Sequence, residues 1–385
     1  MRTPPALKRL LYLLLGVAAL APAGGPGRPA HAQPSPPRVL IIDETPPSPE
    51  RRAWVAGLAA QLRRTLASSN LAARVQTAQS AGEAPPRDLL SPQQPLILTV
   101  EPCDAADCAL RLTFWVNTAP EHALLSPALQ TRLLNARPPS LRHATLASQA
   151  AGAHQRAAEL ASGLFGYAAG DCAAALPHLQ ALWAQGPGSD ARSAVLEGGH
   201  LVDFYAALCL HAGRDYSAAL RVLTGDARAA MRQNTSEGPP HMLLLWDAYI
   251  ADSLAQSFAF DRALAWDDRN ILVARAHHNP ADAQADQLLA ELYLLRGQHR
   301  LYLYEWDAVL ADYNRALSLA HAPPRAYYYR GLLYYTRNEL QAAHDDLTRY
   351  LALEIDAASP LVALARQYLD DLAHLAVTPS PDPEG

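Results

Sequence analysis

Residues 324–357 read PRAYYYRGLLYYTRNELQAAHDDLTRYLALEIDA, and residues 290–323 before them read AELYLLRGQHRLYLYEWDAVLADYNRALSLAHAP. Laid over one another at a shift of 34, Tyr293 falls on Tyr327, Arg296 on Arg330 and Gly297 on Gly331. The match continues with Val309 on Ala343, Tyr313 on Leu347, Leu317 on Leu351 and Leu319 on Leu353. A further shift of 34 sets Leu361, Leu364, Ala365 and Tyr368 on the first half of the pattern. A period of this length marks a helix pair that cannot bury its apolar face alone, so that stacked copies share one core.

Upstream the spacing loosens while the layout persists. Gly163 to Asp171 leads into Ala175 and Leu179; Ala207, Leu210, Gly213, Tyr216, Ala219 and Leu223 repeat that layout 44 residues later. Residues 241–275 supply a third, degenerate pair with Trp246, Tyr249, Leu254 and Ala263. Longer loops are expected at 186–198 and 233–240. A helix over 359–377, with Asp370 and Asp371 on a polar side, has the character of the cap that such arrays need.

Before residue 119 the pattern is different. Val39-Leu40-Ile41-Ile42 is a branched apolar run of buried-strand type, and Ser48-Pro49-Glu50 opens a helix carrying Trp54, Val55, Leu58, Leu62 and Leu66 on one face. Arg74–Thr77 reads as a short strand, and Leu96–Val100 with Leu110–Val116 as a hairpin. The expected fold class is therefore mostly α. A small α+β domain (β-α-β-β-β) over 38–118 leads through a helical linker over 119–154, with no strand signal beyond about 122. An α-solenoid of helix pairs follows over 155–358.

The ends and the cysteines bear on compartment. Arg2, Lys8 and Arg9 precede an apolar run, and Ala30-His31-Ala32 has the small-x-small form of a cleavage site. Residues 1–32 thus have the layout of a signal peptide cleaved after Ala32, with an uncleaved anchor as the alternative. The apolar run is shorter than the roughly 20 residues that cross a bilayer. The expected location is secreted or cell-envelope, and residues 378–385 are expected to form a disordered tail. Cleavage removes Arg2, Lys8, Arg9 and Arg28, taking the formal charge from −5 to −9. An acidic chain with no Lys/Arg cluster lacks the footprint of a nucleic-acid binder. No second apolar stretch reaches membrane length. Cys103 and Cys108 flank a hairpin end, where a disulfide is expected; half a metal site is the rival and has no partner pair. Cys172 and Cys209 fall in helical patterns, where two buried thiols are the default and a bridge between them is the alternative.

The two regular repeats resemble the tetratricopeptide repeat, which places an aromatic at position 4, small residues at 8 and 20 and a large apolar residue at 24. Residues 324–357 supply Tyr327, Gly331, Tyr334, Ala343 and Leu347, and depart at position 27 with Tyr350. Residues 290–323 supply Tyr293, Gly297, Tyr313 and Ala316, and depart with Arg300 at 11 and Val309 at 20. The resemblance covers roughly 155–376. It implies that the first helix of each repeat lines a concave face through positions 2, 5, 9, 12 and 13. Those positions hold Arg325, Tyr328, Leu332, Tyr335 and Thr336 in one repeat, and Glu291, Leu294, Gln298, Leu301 and Tyr302 in the other. Tyr, Leu and Arg together suit the energetic centre of an interface. The expected partner-binding set is Arg325, Tyr328, Leu332, Tyr335, Leu294, Gln298 and Tyr302, with Tyr327, Tyr334 and Tyr313 in the core. The implied partner is a protein or peptide. The Lys/Asn set with which some of these repeats clamp a terminal carboxylate is absent.

Catalytic signals are thin. Asp43-Glu44 follows the first strand and reads as a solvated turn. His277, His278, Asp282 and Asp286 read as loop residues, because zinc sites use a tighter ligand set. No Ser or Cys stands in a recognisable nucleophile turn, and neither glycine-rich phosphate motif occurs. The expectation is an exported, non-enzymatic adaptor with no cofactor and no metal. Two competing classes remain: an envelope enzyme whose N-terminal domain is catalytic, and a self-assembling module in which the groove makes a homo-oligomer.

Overall fold

The computed structural model describes residues 37–44, 49–69, 71, 73–78, 89–102, 110–135, 143–146, 152–183, 199–225, 228, 241–354 and 359–377. The segment read as a signal peptide, the disulfide expected between Cys103 and Cys108 and the tail expected over 378–385 lie outside the described residues. Those described are mostly helical with one small mixed sheet. They divide into two compact units, Pro34–His277 and His278 onward.

The first unit opens with β1 (Arg38–Asp43), α1 (Pro49–Ser68), β2 (Arg74–Ala78), β3 (Leu96–Pro102) and β4 (Leu110–Val116). This is the expected β-α-β-β-β order. The sheet order is β2-β1-β3-β4-β5, parallel across β2-β1-β3 and antiparallel from β3 onward. The fifth strand, β5 (His143–Leu146), pairs with β4 in the stretch read as a helical linker. Its four residues, His-Ala-Thr-Leu, are too short to show a period of two, so pairing with β4 defines the strand. Val39, Ile41 and Ile42 of β1 are buried against Leu96 and Leu98 of β3, as their unbroken apolar run required.

A short 3₁₀ turn (Pro120–His122) and α2 (Pro127–Asn135) follow β4. Three helix pairs complete the unit: α3 (Ala153–Ala168) with α4 (Cys172–Trp183), α5 (Gly199–Ala212) with α6 (Tyr216–Leu223), and α7 (His241–Gln256) with α8 (Phe260–Ala276). α3 packs along α1 and touches β3 and β4, so the first pair covers the sheet. A buried polar knot fastens this junction. Gln130 of α2 donates to the hydroxyls of Tyr167 (3.0 Å) and Tyr249 (2.9 Å), and Tyr249 donates to the His122 carbonyl. The Gln130 side-chain oxygen accepts from the Leu124 and Leu125 amides.

The second unit holds α9 (Ala283–Leu301), α10 (Trp306–Leu317), α11 (Arg325–Thr336), α12 (Leu340–Leu353) and α13 (Pro360–Val377). Each helix packs on the next, and α13 also touches α11. The aligned Arg296 and Arg330 have a reason to recur. Arg296 grips Asp312 with two hydrogen bonds, and Arg330 grips Asp346 in the same way. Each pair ties the first helix of a repeat to its second.

All five helix pairs turn alike. A residue with left-handed φ ends the first helix: Gly170, Arg214, Phe258, Tyr304 and Asn338. Its amide bonds back three residues, and the next amide bonds back five, as Asp215 does to Leu210 at 2.9 Å. Seven residues before each turn stands Gly163, Ala207, Ala251, Gly297 or Gly331. Five residues after it stands a fully buried Ala175, Ala219, Ala263, Val309 or Ala343. The loose upstream spacing of the sequence thus conceals one constant hairpin, with the variation held in the loops between pairs. Cys172 and Cys209, expected as thiols, form a disulfide joining the first pair to the second. They lie 37 residues apart on different helices, too far for spacing alone to pair them.

Two measurements follow from this packing. A Cβ added at Gly166 would come within 3.0 Å of the Ala175 backbone, which cannot swing aside. Gly166→Ala should therefore destabilise the protein by about 1–2 kcal/mol, since overpacking costs about 1–3 kcal/mol and outweighs a helix-propensity gain of about 1 kcal/mol; a urea midpoint that rises contradicts this packing. Opening the Cys172–Cys209 loop with serines should cost roughly 4 kcal/mol by the chain-entropy relation, read as a calorimetric shift that reductant reproduces in the parent chain.

Candidate functional site

The residues expected to line a groove do not share one environment. Arg325 on α11 pairs with Glu291 on α9, and Glu291 is completely buried. Tyr328 is only 2% exposed and sits in a core with Leu332, Tyr350 and Val362. Leu294 is buried as well. Tyr328, Leu332 and Leu294 are thus packed within the protein, contrary to the exposure expected of them, whereas Arg325 is partly exposed with its guanidinium committed to Glu291. Tyr328 is covered because the capping helix α13 closes over the last pair. Gln298, Tyr302 and Tyr335 remain half-exposed, Tyr335 edge-on to Tyr368 at 5.1 Å.

The core tyrosines are partly exchanged too. Tyr313 is fully buried, as expected, against the helix face cleared by Gly297. Tyr327 and Tyr334 are half-exposed instead, flanking the Arg330 guanidinium at 5.8 Å each. Their spacing of three and four residues from Arg330 places all three on one helical face.

A surface aromatic pair escaped the sequence reading. Tyr304, 47% exposed, meets Trp306 edge-on at 5.8 Å across the α9–α10 turn. In the first unit Phe258, 80% exposed, meets Phe260 at 6.1 Å on the corresponding turn. A bulky residue at left-handed φ costs on the order of 1 kcal/mol, which glycine or asparagine would avoid. An aromatic where the turn calls for glycine was the available signal.

The solvated turn expected at Asp43-Glu44 holds for Glu44, which is exposed, and fails for Asp43. Asp43 ends β1 and is 6% exposed, and the Glu44 amide bonds to the Val100 carbonyl at 3.0 Å. β1 lies between β2 and β3, so this strand end is a topological switch point, where open α/β sheets place ligands. Burial, and then the charge of Glu101 on β3, raise the Glu44 carboxyl above its ordinary range. Glu101 itself accepts from Thr99 and Thr113.

The His/Asp cluster regroups. Asp282 caps α9 and His277 is exposed. Asp286 takes His278 at 2.9 Å and also His321, through both its amide (2.7 Å) and its ring (3.1 Å). Burial alone would raise the Asp286 carboxyl; these hydrogen bonds outweigh it and hold the group below its usual value. Among the described residues no group of three or more His, Cys, Asp or Glu is arranged to hold a metal ion, and no helix is long and apolar enough to cross a membrane.

One more polar cluster forms where α1 meets the first helix pair. His178 on α4 stands between Ser69, at the end of α1, and Glu159 on α3. Those residues are 19 and 109 positions from His178, so no local motif could have announced them. No protein-family model matches the chain, and no curated protein is significantly similar to it.

The tyrosine core makes a pH prediction. Burial chiefly raises the phenols of Tyr350 and Tyr368 from 10.0 to about 12. The folded state therefore favours the neutral form, and its contribution is complete below pH 10 and lost as the pH climbs through about 12. Helical circular dichroism and phenolate absorbance should change together in that window; phenolate appearing with the helix signal intact would contradict the burial.

Proposed function

We propose that this chain is an exported scaffold whose helix pairs form a tetratricopeptide-like solenoid that binds a protein or peptide partner. The observation that carries the reading is the constant hairpin. Five helix pairs use the same left-handed turn, the same small residue before it and the same buried residue after it. Such pairs stack into elongated binding surfaces. Export draws support from the disulfide, which an oxidising compartment permits.

On the second unit, Gln298, Tyr302, Tyr335 and the Glu291-paired Arg325 are the expected groove residues that keep exposed surface, and Tyr304 with Trp306 adds an aromatic edge two residues beyond Tyr302 in the chain. Aromatic side chains of this kind carry much of the energy of protein interfaces. The array needs no cofactor for this work.

The test is capture from envelope extract by the mature chain and by a Tyr302→Ala/Tyr335→Ala variant of matching helical content. Loss of two hot spots, each worth about 2 kcal/mol, should weaken a retained partner by several hundred-fold, on the order of 10²–10³. An identical bound set for both proteins would sink the groove assignment. Light scattering of the purified chain distinguishes self-assembly, since a monomer rules it out.

A further inference from the structure

Ser69, His178 and Glu159 form a connected line of hydrogen bonds. α1 and α3 pack closely because Gly57 leaves room for His154, whose ring lies 4.7 Å from Trp54. α4 folds back on α3 through the Gly170 turn and delivers His178 to both neighbours. Its Nε2 is 2.5 Å from Ser69 Oγ, and its Nδ1 meets Glu159 Oε2. The other Glu159 oxygen accepts from Gln155, whose own oxygen accepts from Gln61. Gln61 is in turn held by Arg64 at 2.5 Å. The acid is therefore oriented by a second layer of hydrogen bonds. The His178 and Glu159 side chains are 11% and 19% exposed, and Ser69 is half-buried, so the residue bearing the hydroxyl keeps some exposed surface.

A hydroxyl on a base that a carboxylate orients is the arrangement of an activated nucleophile, recognised by geometry and not by sequence order. We propose that Ser69 is a nucleophile activated by His178 and Glu159, taking acyl or phosphonyl groups from activated esters. The proposal goes beyond the scaffold reading and does not depend on it.

As Ser69 Oγ bonds to the electrophilic carbon, its proton passes to His178 Nε2. Glu159 stabilises the imidazolium through Nδ1–H. Collapse of the tetrahedral adduct breaks the bond to the leaving oxygen, which takes the proton back from Nε2. Water then repeats the sequence on the acyl-serine, releasing acid and restoring the hydroxyl. With a phosphonyl fluoride the Oγ–P bond forms, the P–F bond breaks and fluoride departs.

The surroundings narrow the substrate class. The Ser69 and Leu71 amides are both spent on the Leu66 carbonyl, at 3.2 and 3.1 Å, so neither of these two amides is free to serve an oxyanion. An oxyanion donor is worth about 10²–10³ in rate, so amides are poor substrates here and esters of good leaving groups are suitable ones. Thr65 O, 2.8 Å from Ser69 Oγ, competes for the single hydroxyl proton, and attack requires the His178 geometry.

The experiment treats the mature chain with a biotinylated fluorophosphonate and maps the adduct by peptide mass spectrometry. Labelling is expected at Ser69, absent in Ser69→Ala and slowed about 100-fold in His178→Gln, as loss of a general base predicts. Circular dichroism confirms that each variant is folded. No adduct on the folded parent chain, an adduct at another serine, or undiminished labelling of Ser69→Ala overturns the proposal. Partner capture by Ser69→Ala should equal that of the parent, so failure here is distinct from failure of the scaffold reading.

Discussion

Two helices can bring their backbones together only where one of them lacks a side chain of any size. That constraint recurs in this molecule seven residues before every turn, at Gly163, Ala207, Ala251, Gly297 and Gly331. At Gly297 the freed space is filled by the ring of Tyr313, and at Gly163 by Leu179. Close approach lets the second helix bury its own small residue, and the left-handed turn sets the direction in which that helix leaves. Everything else about a pair is adjustable. Asp caps α6 and α9, while Glu305 and Glu339 open α10 and α12 without a side-chain cap.

The first unit couples these pairs to a sheet. Gln130 cannot reach water, and its amide is satisfied only while α2, α3 and α7 hold their places around it. An unpaired buried amide costs roughly 1–3 kcal/mol, so the knot penalises any partial opening of the junction. The knot thus ties α2 to the first and third helix pairs. Cohesion in the second unit is of another kind: Arg–Asp forks within each repeat and apolar contact between neighbours.

Legibility in the sequence followed the range of the interactions. The helices at 290–353 could be read because their contacts recur at a fixed local period, and β1 because a run of branched apolar residues has few other uses. β5 was hidden because its existence depends on β4, more than 25 residues earlier. Cys172–Cys209 and the Ser69–His178–Glu159 line were hidden for the same reason. Among the tyrosines, the repeat pattern located the right helix but not the right side of it. Which of Tyr327 and Tyr328 is buried depends on where α13 lands, and that lies outside the period. Asp43 shows the opposite failing: a charged residue before prolines looked like a turn, yet the strand extends through it.

The disulfide has a mechanical meaning. Force that draws out the first unit from its α8 end peels one helix after another. When it reaches Cys209, the 37-residue stretch back to Cys172 cannot be drawn out, because the covalent bond bypasses it. A length of about 130 Å of extended chain is thereby withheld from stretching. Within the first unit the sheet and its first helix pair would then bear load as a tethered block, while the helices beyond Cys209 yield first.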